Sequence, residues 1–120
     1  MIDPRQIDIT LRTNAAWDVL WGADDAAGNP VNTSGWTGRM QLRVPGAPPG
    51  SPPIVDVVVT PYAGPDDGFP NWMRSTIALA AISGVRPRDY DFDITVVTGP
   101  GLDPDVLVYG TATVKQGTTR

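Results

Sequence analysis

The stretch that most limits what this chain can become is 84–97, GVRPRDYDFDITVV. Tyr90, Phe92, Ile94 and Val96 alternate with Asp91, Asp93 and Thr95. Successive side chains of an extended chain point to opposite faces, so this run has one apolar face and one acidic, polar face. A helix would scatter the same apolar groups around its circumference. The run therefore predicts a strand buried on one side. Just before it, Val85-Arg86-Pro87-Arg88-Asp89 reads as a tight corner. Tyr90 stands where its phenol can turn back and bond that corner's backbone.

The rest of the chain supplies strands able to cover that face. Ile7, Ile9 and Leu11 alternate with Asp8, Thr10 and Arg12, a first strand. Trp17, Val19 and Trp21 give a second, with two large rings to bury. DDAAGNP at 24–30 is a turn signal built on Gly28-Asn29-Pro30. Trp36, Gly38, Met40, Leu42 and Val44 make the inner face of a third strand, with Arg39, Gln41 and Arg43 outside. PGAPPGSPP at 45–53 is a loop, because proline can join neither a helix interior nor a central strand. Val55, Val57 and Val59 mark a fourth strand, and 61–73, PYAGPDDGFPNWM, reads as a second long loop. A fifth strand is expected over 76–82 through Ile77 and Leu79, although 80–85 also admits a short helical turn. The sixth is the run around Tyr90. A hairpin loop at 99–104 leads to a seventh through Val106, Val108, Gly110, Ala112 and Val114. Residues 116–120 form a polar tail. Seven short strands separated by turn signals predict one all-β domain over 1–120. The expected architecture is an immunoglobulin-like β-sandwich of about seven antiparallel strands, with Tyr90 as its corner tyrosine.

The chemistry available to the chain is narrow. It has no cysteine, histidine or glutamate, and all 13 acidic residues are aspartates. Without histidine there is no Ser-His-Asp triad, and without these three ligand types a structural zinc site is not expected. The adjacent pairs Asp24-Asp25 and Asp66-Asp67 fall in turns and read as solvated carboxylates. Asp89, Asp91 and Asp93 match the opening of a calcium loop, but Ile94 and Pro100 stand where its glycine and bidentate glutamate belong. On a strand these carboxylates are spaced by about 7 Å, too far to converge on one ion. The expectation is a protein without enzymatic activity or cofactor.

A net charge of −4 argues against nucleic acid as a partner, which calls for clustered positive charge. The longest apolar run, 77–82, is far too short for a membrane span. The beginning MIDP lacks the basic and apolar regions of a secretory signal.

Two groups of residues are candidates for partner contact. Arg39 and Arg43 face outward on the third strand, and Asp91 and Asp93 face outward on the sixth. These strands are neighbours in immunoglobulin-like sheets, which would set the charges across from each other. The second group is aromatic: Tyr62, Phe69 and Trp72 in the 61–73 loop. They serve either as anchors in an interface or as a cap on the core edge.

Three blocks also carry a family resemblance: IDITLRTNAAWDVLW at 7–21, GNPVNTSGWTGRMQLR at 28–43, and the run from RPRDYDFDITVV to VLVYGTATVKQGTTR. Together they resemble small bacteriophage tail-associated β-sandwich proteins and are similar to the N-terminal domain of phage baseplate upper proteins. The loops at 45–53 and 61–73 depart from that pattern. The resemblance implies a non-enzymatic virion structural protein, tail- or baseplate-associated. Its partners would be other virion proteins in a symmetric, multi-copy assembly. Capsid decoration and a carbohydrate- or receptor-binding module stand as the alternatives.

Overall fold

A computed structural model describes residues 4–25, 27–48, 50–65 and 67–117. The chain runs β1 (Arg5–Gln6), β2 (Ile9–Arg12), β3 (Trp17–Gly22), β4 (Thr37–Arg43), β5 (Val55–Tyr62) and β6 (Trp72–Ile77). A single helical turn α1 (Leu79–Ile82) follows, then β7 (Arg88–Val97) and β8 (Asp105–Lys115). The strands form one sheet in the order β1-β8-β7-β4-β5-β6-β3, with β2 also on β8.

Connectivity forces this sheet to curl. β2 lies at one edge and β3 at the other, yet only residues 13–16 separate them. A flat sheet would place these strands about 29 Å apart, at ~4.8 Å per neighbour. The link reaches at most about 18 Å even when fully extended. The far end of the seam is closed by an ion pair from Arg5 to Asp24. β5 carries the bend: Val55–Val59 pair with β4 and Val59–Tyr62 with β6. Gly38 sits beside the bend, where an added Cβ would lie 3.2 Å from Val59 Cβ and 3.3 Å from Met73 Cε.

The curl encloses the apolar faces read from the sequence. Leu11, Trp21, Met40, Leu42, Val59, Tyr90, Phe92, Ile94 and Val96 are all buried. The Trp21 ring lies 5.9 Å from Trp17 and 6.3 Å from Phe92, in tilted contacts that aromatic pairs favour. Its indole N–H donates to Ser75 Oγ at 2.8 Å, so a polar residue turned inward is satisfied. At the corner before β7, the Tyr90 hydroxyl donates to the carbonyl of Arg86 at 2.7 Å. The expected bond from Tyr90 back to the preceding corner is present.

Several expectations require correction. Pairing is mixed, because β1 and β2 run parallel to β8. The 61–73 loop is shorter than expected: Pro61 and Tyr62 end β5, while Trp72 and Met73 begin β6. The fifth strand is therefore Trp72–Ile77, and Leu79 lies in α1 rather than in a strand. On β8 a register shift at Ile94/Thr95 turns Leu107 inward and leaves Val106 exposed. The bulge inserts one residue, which reverses the face of everything before it. The tail expectation at 116–120 and the Asp66-Asp67 pair fall partly outside the described residues.

Candidate interaction surfaces

The outward faces of β4 and β7 are neighbours, and Arg43 lies directly opposite Asp91, Gln41 opposite Asp93, and Arg39 opposite Thr95. All four charged candidates thus share one face. Their bonding differs from the cross-strand pairing expected from the sequence. Arg39 turns away from β7 and holds Asp56 on β5 through two bonds, both 2.9 Å. Arg43 donates to Gln41 Oε1 and to the carbonyl of Ser51, both at 2.6 Å. The carboxylates of Asp91 and Asp93 make no hydrogen bond or ion pair to a described residue.

Electrostatics follow from these partners. The Arg39 guanidinium holds the Asp56 carboxyl below its ordinary range. Asp93 behaves oppositely, since its partial burial pushes the carboxyl up and the charge on Arg43 only partly offsets this. Tyr109, exposed on β8, is the direct neighbour of Asp93, and Gln6 of β1 stands beyond it. Asp89 accepts a bond from Thr113 at 2.8 Å. Among the described residues, no three potential metal-ligating side chains cluster.

The aromatic candidates lie elsewhere, on the outer side of β5, β6 and β3. Tyr62 and Trp72 are direct cross-strand partners. The Trp72 indole covers Gly22, where an added Cβ would come within 3.4 Å of the ring. Its N–H donates to Asp67 at 3.2 Å, and Asp67 also accepts from the Gly64 amide. Phe69 is the exposed member of the three. Trp72 is therefore partly a cap, whereas Phe69 projects from the loop.

No protein-family model matches the chain, and no curated protein matches it.

Beside the aromatic group, Arg74 binds Asp18 through bonds of 3.0 and 2.7 Å and lies 5.9 Å from the Tyr62 ring centre. Leu20, exposed on β3, completes a shallow hollow of about 200 Å³. A larger hollow of about 430 Å³ lies under the Pro/Gly loop, with Arg43 and Asp91 in its lining. Sequence reading missed Asp18, Asp56 and Arg74 as ion-pair members. Their outward positions follow from alternation with Val19, Val57 and Met73, but choosing their partners needs the strand order, which alternation does not supply.

Proposed function

We propose that this protein is a non-enzymatic structural component of a bacteriophage virion, associated with the tail or baseplate and acting through protein–protein contacts. We further infer that the curled sheet is an immunoglobulin-like sandwich, with β5 shared between its two halves and a parallel edge at β1 and β2. The resemblance in the three sequence blocks supplies the identity of the assembly. The observation that carries a contact role is the outer face of β8, β7 and β4. There the carboxylates of Asp91 and Asp93, without a hydrogen bond or ion pair among the described residues, adjoin Arg43 and the exposed ring of Tyr109. An aromatic anchor among polar groups is the usual make-up of a protein-binding patch.

The test is to label the protein in purified particles and image it by negative-stain microscopy, with copy number from quantitative mass spectrometry. Multi-copy density at the tail or baseplate is expected. Density spread over the head would establish capsid decoration instead, and absence from particles would reject a virion role. A carbohydrate-binding reading draws on a different observation, the Tyr62–Trp72 pair beside Arg74 and Asp18. Stacking rings next to polar groups suit a sugar. Retention on a glycan array that is lost on Trp72→Ala would favour that reading.

A further inference from the structure

The register of the strands sorts the charges by position along the sheet. β3, β5 and β8 place one end of the molecule at the turn 23–36, the loop 63–71 and the hairpin 98–104. That end carries Asp24, Asp25, Asp67, Asp103 and Asp105; of the described cations near it, Arg5 is paired to Asp24, and Arg39 and Arg74, two residues inside on β4 and β6, are paired to Asp56 and Asp18. The opposite end carries Arg12, Arg86, Arg88 and Lys115, all exposed, with Arg43 close by. Its described acids are Asp89 and Asp91, together with Asp18 and Asp56 near the starts of β3 and β5, which are already paired to Arg74 and Arg39; none of the four exposed cations forms an ion pair with a described residue. Arg12 and Lys115 are direct partners across β2 and β8 on the outer face. Like charges set opposite each other lower stability, so folding alone gives no reason for them.

The two ends lie apart by the length of β8, about 33 Å at ~3.3 Å per residue. The Debye length at 0.1 M salt is about 10 Å, so neither end neutralises the other within one molecule. Each end also exposes apolar side chains: Phe69 and Leu102 at the acidic end, Ile54 and Leu79 at the basic end. Both ends therefore offer apolar contact within a charged surround, and their charges are opposite in sign.

We propose that copies of this chain associate end to end, the acidic end of one seated on the basic end of the next. The contact is heterologous, so it closes into a ring or extends into a stack, according to the rotation between copies. This deepens the reading of the protein as a multi-copy assembly component and rests on that reading.

Sedimentation velocity of the full chain across a concentration series tests it. Association is expected at about 10 mM salt, where the Debye length is about 30 Å, and should weaken at least tenfold, in order of magnitude, by about 0.3 M. Arg12→Glu with Lys115→Glu should abolish self-association, and so should Asp103→Lys with Asp105→Lys. Mixing the two variants should restore association between them. If either double variant fails to fold by circular dichroism, Lys115→Ala and Asp103→Asn replace it and should each weaken association. A wild-type chain monomeric at low salt overturns the proposal, as does association unaffected by charge reversal or a mixture that stays monomeric. A monomeric chain retained on immobilised poly-aspartate would assign the basic end to a different acidic partner and likewise overturns it. Self-association without incorporation into particles would reject the virion role alone. Incorporation by a monomer insensitive to charge reversal would reject the end-to-end contact alone.

Discussion

Two regions respond oppositely to the same reading rule: β7, and the stretch 61–82. In β7 the inward set Tyr90, Phe92, Ile94 and Val96 is apolar but for the Tyr90 hydroxyl, which bonds the adjacent corner, and the strand has neighbours on both sides, β4 and β8. Alternation and burial agree there. In 61–82 the inward set of β6 is Met73, Ser75 and Ile77. A serine stands at its centre because Trp21 needs an acceptor, so the apolar pattern is interrupted exactly where the strand is. Proline misleads nearby as well. Pro61 lies beyond Val59, where β5 has left β4 and keeps only β6, a position that tolerates a missing N–H. Alternation is reliable where a strand is central and its buried face is made of large aliphatic and aromatic side chains. It fails where a small polar side chain such as Ser75 takes an inward position or where a strand changes neighbours.

The largest expected effect tests the seam rather than either strand. A Cβ on Gly110 of β8 would run into the carbonyl oxygen of Ile7. Nearby, Ile7 donates its amide to Tyr109 at 2.9 Å, and Thr111 donates its amide to Asp8 at 3.1 Å. Gly110→Ala should therefore lift the β1–β2 edge off β8 and cost about 2–3 kcal/mol, read by urea denaturation. A loss below about 0.5 kcal/mol would mean that the parallel edge contributes little to the fold.

The second prediction divides the aromatic group. Trp72→Ala removes a ring packed over Gly22 and the bond to Asp67, and should cost about 1–2 kcal/mol. Phe69→Ala should leave the melting curve within about 0.5 kcal/mol of wild type, as exposed positions do. Equal losses would show that the loop and the strand end act as one unit. This split was not legible in the sequence, because it depends on whether Trp72 faces Gly22 on β3, a pairing set by strand order. Tyr90, by contrast, was legible in both placement and bonding, since its partner lies four residues away at Arg86. The shared face of Arg39, Arg43, Asp91 and Asp93 was also legible. The diversion of Arg39 to Asp56 was not, because it depends on which strand flanks β4 on its other side.

Tyr90→Phe tests the region that alternation read correctly. The ring is buried and stays in place, while the bond to Arg86 is lost and its carbonyl is left without that donor. The expected cost is about 0.5–1.5 kcal/mol with the fold retained. Unchanged stability would show that the corner is held by packing alone.

The smallest effect reverses the usual sign. Asp93 lies on the outer face of β7, half-buried beside Gln41 and Tyr109, and this desolvation raises its carboxyl above the ordinary value. A carboxyl whose folded pKa is raised binds its proton more tightly in the folded state than in the unfolded one. Its charged form therefore opposes folding, and the opposition appears as pH rises from the unfolded value of about 3.9 and is complete above the folded one. Asp18 and Asp56, held below the ordinary range by Arg74 and Arg39, do the reverse: their stabilisation is present above about 3.9 and is lost as pH falls. Asp93→Asn should thus raise the melting temperature slightly at pH 7, and the gain should shrink as the buffer is taken towards pH 3. A lower melting temperature at pH 7 would mean that the attraction between Asp93 and Arg43 outweighs desolvation. The acidic outer face of β7 would then be a stabilising feature of the sheet rather than one kept at a cost in stability.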